Sequence, residues 1–170
     1  MFTFLRPSVC VSSLDSILPQ DLLRENIKGL IIDLDNTMAP WNVLEVGANV
    51  ADWFELLTQH GISACVVSNN GEQRVAAVAN ALNIPFIYKA SKPHRRAFRQ
   101  AMAIMGTELH NTAVIGDQLF TDVLGGNRLG LRTFLVLPIS EREWIGTKLM
   151  RLAERAVIWS LNRLEGTKVR

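Results

Sequence analysis

The chain has 170 residues, a length typical of a single domain that buries a core without disulfides or a structural metal. Hydrophobic residues make up 48% of it and charged residues 20%, which fits a globular protein, and the net charge of +2 is too small to indicate a nucleic-acid partner. Two cysteines cannot build a disulfide framework, and no uncharged apolar run reaches the roughly 18 residues of a membrane span. Arg6 and Pro7 interrupt the apolar N-terminus before a signal-peptide core forms, so we expect a cytoplasmic protein.

In chain order, short apolar runs alternate with segments of helical spacing. The runs at 29–34, 63–67, 84–88, 112–115 and 132–137 predict strands, and the segments at 50–59, 72–82, 94–105 and 120–129 predict helices. Asn70 is placed to cap the second helix, and Gly106 to end the third. Strands that alternate with single helices imply parallel βαβ units with right-handed crossovers. The sequence therefore predicts a Rossmann-like α/β fold, a three-layer sandwich with a central parallel sheet.

Polar side chains stand where four of the predicted strands end. They are Asp33 and Asp35 at the first strand, Ser68 and Asn69 after the second, Lys92 after the weak third, and Asp117 after the fourth. In parallel α/β sheets, ligands bind beyond the carboxyl ends of the strands. We therefore expect these side chains to meet at one edge of the sheet and to form a single site.

The acids in this set suit phosphoryl transfer. A carboxylate such as Asp33 can attack phosphorus and form an aspartyl-phosphate, provided that a hard cation such as Mg²⁺ offsets the repulsion between the two anions. Asp117 and Asp122 offer further oxygen ligands for that cation. Asp35, two residues after Asp33, can protonate the leaving alkoxide and later activate water.

Ser68 and Lys92 add groups that bind a phosphoryl group. A hydroxyl and neighbouring backbone N–H groups bind its oxygens, and a lysine neutralises both the phosphate and the nucleophile. Structural interpretations compete with these roles: Ser68 and Asn69 as a turn with a helix cap, Lys92 as a solvated loop charge, and Asp122 as a charge on a helix face. The common place of these residues at strand ends favours the functional interpretation.

These segments resemble the four motifs of the haloacid dehalogenase (HAD) superfamily, in order and at matching spacing. The segments are Asp33-Leu34-Asp35-Asn36-Thr37, Val67-Ser68-Asn69-Asn70, Lys92-Pro93 and Gly116-Asp117-Gln118-Leu119-Phe120-Thr121-Asp122. The resemblance implies that Asp33 is the nucleophile and Asp35 the general acid and base. It further implies that Asp33, Asp117 and the backbone carbonyl of Asp35 bind Mg²⁺, with Asp122 as a further ligand, direct or through water.

The same resemblance implies roles for the remaining motif residues. Ser68, Asn69 and Lys92 are expected to bind the phosphate of the substrate. Thr37 is expected to steady the first loop, and Gly116 to support the fourth motif. A HAD-like fold is implied for the domain as a whole.

The loop after the first motif narrows the resemblance. Met38-Ala39-Pro40-Trp41, together with Ser68-Asn69-Asn70, is similar to the YqeG family of capless HAD-IIIA phosphatases, which is similar in turn to the phosphatidylglycerophosphate phosphatases of mitochondria and plastids. The resemblance implies a Mg²⁺-dependent phosphomonoesterase that converts phosphatidylglycerophosphate to phosphatidylglycerol. Two alternatives stay open: a phosphatase of a soluble sugar, nucleotide or nucleic-acid-end phosphate, and a non-enzymatic scaffold or membrane adaptor that keeps the fold.

Neither gap between the first three motifs has room for a cap domain. Positions 38–67 hold one loop, one helix and one strand, and positions 69–91 hold the next helix and strand. An open site suits a bulky substrate such as a lipid headgroup. The alternative is that a second subunit closes the site in a homo-oligomer.

The segment 141–170 follows the last predicted strand and carries seven Lys or Arg residues against four Glu residues. Its apolar residues recur at helical spacing and predict an amphipathic helix: Ile145, Leu149, Leu152, Ala156 and Trp159. We expect the helix either to pack on the sheet or on a second subunit, or to contact anionic lipid at the inner face of the membrane. The predicted organisation is a HAD-like domain with an N-terminal extension at 1–140 and a helical segment at 141–170.

Overall fold

The computed structural model of the protein describes residues 3–140. Within them, six strands form one sheet: β1 (Val9–Val11), β2 (Gly29–Ile32), β3 (Ser63–Val67), β4 (Phe86–Ile87), β5 (Thr112–Gly116) and β6 (Arg132–Val136). The α-helices are α1 (Pro19–Arg24), α2 (Ala48–Gln59), α3 (Glu72–Ala81), α4 (Arg95–Met105) and α5 (Leu124–Asn127). Short 3-10 turns cover Thr3–Leu5 and Leu109–Asn111, and a π-helical turn covers Leu119–Val123. The predicted helix at 141–170 lies outside the described residues, so it stays a prediction, as does the domain boundary at residue 140.

The sheet is parallel throughout, with the strand order β1-β6-β5-β2-β3-β4. β2 lies in the interior, between β3 and β5, and Ile32 near its end pairs with Val66 on one side and Ile115 on the other. The carboxyl ends of β2, β3 and β5 therefore stop at nearly the same level. This register places the residues that follow these three strands next to one another.

The core lies in two layers, one on each face of the sheet, because successive strand residues point to opposite faces. On β2, Leu30 and Ile32 face a cluster that includes Trp53 of α2, whereas Ile31 faces a second cluster that includes Phe98 of α4. All four residues of β2 are buried, as expected for a strand covered on both faces. The three-layer α/β sandwich predicted from the sequence is thus confirmed.

The structure adds two elements near the N-terminus that the sequence patterns did not predict. β1 pairs with β6 at the edge of the sheet, and α1 packs Leu22 into the core. The segment before α1 is held to α2 by the buried indole of Trp53, which donates a hydrogen bond to the carbonyl of Ile17 at 2.7 Å. β1 has three residues and α1 has six, so neither is long enough to show a clear hydrophobic period.

Two local predictions were wrong. The helix expected at 120–129 begins as the π-helical turn and continues as the short α5, which contains the poor helix formers Gly125 and Gly126. Asn70 does not cap α3, because the N-cap position is Gly71 and no side chain caps it. The end of α4 is as predicted, since Gly106 takes a left-handed conformation with a φ of 66°.

Between the motifs, residues 3–140 contain no separate cap domain. The stretch from Thr37 to Ser68 holds one loop, α2 and β3, and the stretch from Ser68 to Lys92 holds α3, β4 and their connections. The carboxyl edge of the sheet is therefore not covered by an inserted domain. In the same residues, every helix is too short or too polar to cross a bilayer.

Candidate active site

Three carboxylates meet at the carboxyl edge of the sheet. Asp33 follows β2, Asp117 follows β5, and Asp122 lies in the π-helical turn just beyond. One oxygen atom from each lies within 4.8 Å of the others, and all three residues are buried. The convergence of Asp33 and Asp117 was predicted from their positions at strand ends, and the structure adds Asp122 to them.

Lys92 is the buried cation of this cluster. Its Nζ donates hydrogen bonds to Oδ1 of Asp33 at 2.5 Å and to Oδ1 of Asp122 at 2.7 Å. Its side chain is only 3% exposed, so the interpretation as a solvated loop charge is wrong. With all four groups ionised, three negative charges face one positive charge in a space shielded from water. Such a pocket retains an excess of negative charge that a bound cation can neutralise.

The charges in this cluster shift the proton affinities of Asp33 and Lys92. Burial raises the pKa of Asp33, the Lys92 ammonium lowers it, and the Asp122 and Asp35 carboxylates raise it further, so that the net shift is upward. Burial alone would lower the pKa of Lys92, but the carboxylates of Asp122 and Asp33 outweigh it and raise the pKa. The lysine therefore stays charged, and the cluster as it stands is short of positive charge.

Gly116 and the π-helical turn fix the position of Asp122. A Cβ atom added at Gly116 would lie 2.3 Å from the carboxylate carbon of Asp122, so only glycine leaves space for this carboxylate. The second oxygen of Asp122 accepts hydrogen bonds from the backbone N–H of Gln118 at 3.3 Å and the hydroxyl of Thr121 at 3.2 Å. Interruptions of regular helix of this kind are frequent at functional sites. The interpretation of Asp122 as a charge on an exposed helix face is therefore wrong.

Ser68 and Asn69 lie after β3, next to the loop that carries Lys92. Ser68 is buried, and its hydroxyl accepts a hydrogen bond from the backbone N–H of Asn70 at 3.1 Å. The Asn69 side chain is bound to the backbone of Lys92: its Oδ1 accepts from the Lys92 N–H at 2.7 Å, and its Nδ2 donates to the Lys92 carbonyl at 3.3 Å. In this arrangement Asn69 positions the lysine, a contact that the sequence did not predict.

The first motif ends in a tight turn. Asn36 has a φ of 59°, a left-handed conformation that asparagine tolerates better than most residues. The backbone N–H groups of Thr37, Met38 and Ala39 all point back to the carbonyl of Leu34. The Thr37 hydroxyl is buried and has no hydrogen-bond partner within the described part of the chain. Thr37 therefore sits inside the turn, where it was expected to steady the loop.

This turn separates Asp35 from the buried carboxylates. One oxygen of Asp35 accepts a hydrogen bond from Nε of Arg74 at 2.7 Å, and the other accepts from Nδ2 of Asn70 at 3.2 Å. The Asp35 side chain is 24% exposed, and that of Arg74 is 12% exposed. Sequence reasoning missed Arg74. The signal that could have found it is a basic residue in the first turn of a helix, one turn after Asn70 in the second motif.

The chain is similar in sequence to a known family and to curated phosphatases. A family model described as HAD-hydrolase-like matches residues 89–143. The chain is 42% identical over 160 residues to the probable phosphatase YqeG of Bacillus subtilis (strain 168), with 94% of this chain and 93% of that protein covered. It is 30% identical over 122 residues to the chloroplastic phosphatidylglycerophosphate phosphatase 1 of Chlamydomonas reinhardtii, covering 66% of this chain but only 45% of that protein.

Solved structures with the same fold include two octulosonate 8-phosphate phosphatases. The cobalt-bound enzyme from Haemophilus influenzae superposes with a TM-score of 0.56 at 17% identity, covering 79% of this chain and 89% of the other. The enzyme from Yersinia pestis superposes with a TM-score of 0.51 at 18% identity, covering 88% and 90%. At these identities the likeness concerns the fold alone.

Proposed function

Because this chain belongs to the YqeG family of HAD-like phosphatases, we propose that it hydrolyses a phosphate monoester through an aspartyl-phosphate on Asp33, with Mg²⁺ as its cofactor. The observation that carries the proposal is the buried cluster in which Asp33 lies against Lys92 and two further carboxylates. The non-enzymatic alternative is set aside, because the chain is 42% identical to a probable phosphatase and keeps the carboxylates of Asp33, Asp117 and Asp122 together.

In the proposed reaction, an oxygen of Asp33 attacks phosphorus while the bond from phosphorus to the ester oxygen breaks. Asp35 in its protonated form gives its proton to the leaving alkoxide and becomes the carboxylate that Arg74 and Asn70 bind. A water molecule then attacks the phosphorus of the aspartyl-phosphate and transfers a proton to Asp35, which releases phosphate and restores the Asp33 carboxylate. Asp33 lies in the buried cluster, whereas Asp35 lies in the more exposed turn. This difference in surroundings supports different roles for two identical side chains, nucleophile for Asp33 and general acid and base for Asp35.

The donor set at this edge fits Mg²⁺. The proposed ligands are Asp33, Asp117 and the carbonyl of Asp35, and Asp122 binds directly or through water. Three buried carboxylates beside one lysine leave the excess of negative charge that a hard divalent cation requires. When bound, the ion neutralises this charge and polarises the phosphoryl oxygens. Lys92 holds Asp33 in place and neutralises the nucleophile and the phosphate.

Ser68 and its neighbouring backbone N–H groups are the proposed contacts for the other phosphoryl oxygens. The Ser68 hydroxyl is at the end of β3, one strand away from Asp33. Asn69 contributes through its two hydrogen bonds to the backbone of Lys92, and it therefore affects phosphate binding through the lysine. Thr37 and Gly116 support the loops that carry Asp35 and Asp122.

The proposed substrate is phosphatidylglycerophosphate. Three observations support it: the similarity to the algal enzyme of that name, the lack of a cap domain within residues 3–140, and an apolar loop beside the site. In this loop Trp41 is 44% exposed, Val43 38% and Leu44 55%. Apolar side chains at the entrance suit a phosphate that is presented at a lipid surface. A soluble sugar, nucleotide or nucleic-acid-end phosphate is the alternative substrate.

A substrate comparison with the purified full-length protein tests this proposal. We expect Mg²⁺-dependent release of phosphate from phosphatidylglycerophosphate in mixed micelles, with a higher kcat/KM than for soluble sugar and nucleotide phosphates. The Asp33→Asn variant is the control for contaminating phosphatase. Equal activity of that variant refutes the nucleophile assignment, whereas a preference for a soluble phosphate refutes only the lipid substrate.

We also propose that the protein acts in the cytoplasm and contacts anionic membranes through the segment 141–170. The support is the basic excess and the helical spacing in its sequence. Cosedimentation with anionic and neutral liposomes tests this, using the full chain and a variant in which Arg151, Arg155 and Arg163 are changed to Glu. Equal binding of the two proteins contradicts the proposal and favours packing of the segment on the sheet or on a second subunit.

A further inference from the structure

Arg74 connects three parts of the loop that follows β2. Its Nε donates to Oδ1 of Asp35 at 2.7 Å, its Nη2 donates to the carbonyl of Pro40 at 2.8 Å, and its Nη1 donates to the carbonyl of Val43 at 2.5 Å. The planar guanidinium presents several donors in a fixed arrangement, which lets one side chain hold a carboxylate and two carbonyls together. The Arg74 side chain is 12% exposed, whereas its partners lie nearer the surface, with Asp35 at 24% and Val43 at 38%.

The position of Arg74 in its helix is unfavourable without these contacts. It lies in the first turn of α3 (Glu72–Ala81), where the helix dipole disfavours a positive charge. The carboxylate of Asp35 lies across from the same helix end and supplies the negative charge that the position prefers. Helix formation therefore does not account for an arginine at this place, whereas the contact with Asp35 does.

Asn70 completes the hold on Asp35. Its Nδ2 donates to Oδ2 of Asp35 at 3.2 Å, and its own Oδ1 accepts from the backbone N–H of Gly71 at 2.7 Å. Both carboxylate oxygens of Asp35 thus have a partner. The last torsion of an aspartate is broad unless its oxygens are held, so these contacts fix the direction in which the carboxylate points.

We propose that Arg74 is a positioning residue for proton transfer by Asp35, and that it ties the apolar loop at Trp41–Leu44 to that carboxylate. This inference rests on the proposed function, in which Asp35 protonates the leaving oxygen. A carboxyl group that points away from the breaking bond loses much of its effect, since a misplacement of about 1 Å costs on the order of 10²-fold in rate. Through the carbonyls of Pro40 and Val43, movement of the loop also moves Arg74 and with it the orientation of Asp35.

The need for Asp35 depends on the leaving group. When the bond from phosphorus to the ester oxygen breaks, a phenoxide requires the Asp35 proton more than a 4-nitrophenoxide does, because the nitro group stabilises the negative charge on oxygen. The two phosphates have similar shapes, so a loss in binding affects both, whereas a loss in proton transfer affects phenyl phosphate selectively. This difference separates a positioning role of Arg74 from a general structural one.

The test compares kcat/KM for phenyl phosphate and 4-nitrophenyl phosphate with Mg²⁺ in Arg74→Met, Arg74→Lys and the wild type. We expect Arg74→Met to lose roughly 10- to 100-fold on phenyl phosphate and less than about threefold on 4-nitrophenyl phosphate. Arg74→Lys should also lose more kcat/KM on phenyl phosphate than on 4-nitrophenyl phosphate, but the loss should be smaller than in Arg74→Met. A lysine keeps the charge but cannot bridge all three acceptors. Equal losses on the two substrates in either variant overturn the proposal.

Arg132→Met is the matched control. Arg132 also forms an ion pair with a carboxylate, that of Glu25 at 2.8 Å, but it begins β6 at the amino ends of the strands, away from the candidate site. We expect this variant to retain wild-type rates on both substrates. A selective loss on phenyl phosphate in Arg132→Met as well would show that any broken ion pair has this effect, and it would refute the specific role of Arg74.

A double variant separates this inference from the proposed function. If Arg74 acts through Asp35, then Arg74→Met in an Asp35→Asn background causes little further loss on phenyl phosphate, because the group that it positions is gone. Additive losses overturn the inference while the proposed function stands. The proposed function fails by a different observation, retained activity of Asp33→Asn, and melting curves of each variant identify any that does not fold.

Discussion

Asp33 and Asp35 are separated by one residue and lie in opposite surroundings. Asp33 is buried against Lys92 and two other carboxylates, which together leave an excess of negative charge. Asp35 is 24% exposed and is held by the positive charge of Arg74 and the amide of Asn70. The comparison shows that the fold, and not the residue type, separates a proposed nucleophile from a proposed acid and base. Four changes to the chain or its conditions test how far this separation extends.

The largest effect is expected when the buried member of the pair is changed. Asp33→Asn removes the attacking oxygen charge while it preserves the shape of the side chain, so we expect kcat to fall by at least about 10⁴-fold. Rapid quench with a ³²P-labelled substrate should show a covalent phosphoenzyme in the wild type and none in the variant. A phosphoenzyme that still forms in Asp33→Asn would assign the nucleophile to another residue.

The next effect concerns the space around Asp122. In Gly116→Ala, the added methyl group would lie 2.3 Å from the carboxylate carbon of Asp122. The carboxylate must therefore shift from the position in which it accepts the hydrogen bond of Lys92. We expect a loss of roughly 10²-fold in kcat, the size associated with displacement by about 1 Å, and weaker activation by Mg²⁺. Gly71→Ala is the control, because a Cβ atom there meets open space. Similar losses in the two variants would contradict the steric explanation.

The charge in the buried cluster also predicts how stability depends on pH. Burial raises the pKa of Asp33 from its ordinary value of 3.8 to about 7, against the opposing effect of Lys92. The folded state therefore holds a proton that the unfolded state releases, so the stability from this group is full below about pH 4 and is lost as the pH rises to about 7.

Without metal, we therefore expect the Tm of the wild type to fall by several degrees relative to Asp33→Asn between about pH 5 and pH 7. Differential scanning calorimetry in the presence of a chelator measures this difference. Mg²⁺ should reverse it in the wild type, because a cation that binds only the folded state stabilises it. Parallel pH curves for the two proteins would contradict the assigned shift of Asp33.

The smallest effect is expected at the apolar loop on the side of Asp35. Leu44→Ser and Trp41→Ala remove exposed apolar surface without touching the buried acids. If this loop meets a lipid surface, kcat/KM should fall a few-fold on phosphatidylglycerophosphate in micelles and stay unchanged on 4-nitrophenyl phosphate. Leu109→Ser provides a control at an equally exposed leucine on the opposite edge of the sheet. Equal changes of kcat/KM in all three variants would show that the loop has no role in substrate recognition.

The central part of the fold could be predicted from the sequence, because buried parallel strands give continuous apolar runs. β3 was predicted with its observed bounds. The first run was predicted as a strand over 29–34, and β2 ends two residues earlier at Ile32, so that Asp33 follows it. β1 and α1 were missed, since both are short and lie at the border of the domain. The π-helical turn was also missed, because a change from α- to π-helical hydrogen bonding leaves no period in the sequence.

In the site, too, the residues that follow a sequence pattern were predicted and those without one were missed. Strand ends and motif spacing bring Asp33, Lys92 and Asp117 to one edge, and the structure agrees with that prediction. Arg74 was missed because a single arginine on a helix has no pattern that distinguishes it from a solvated charge. Its role becomes visible only when the turn at Asn36 brings Asp35 towards α3, a contact between residues 39 positions apart.

The lengths of the strands have a consequence for the behaviour of the protein at high concentration. The two edge strands, β1 and β4, have three and two residues, whereas the interior strands have four or five. A free strand edge can pair with the edge of another molecule, and a short edge offers few backbone groups for such pairing. The sheet therefore presents little template for aggregation, an advantage for a protein proposed to gather at a membrane surface.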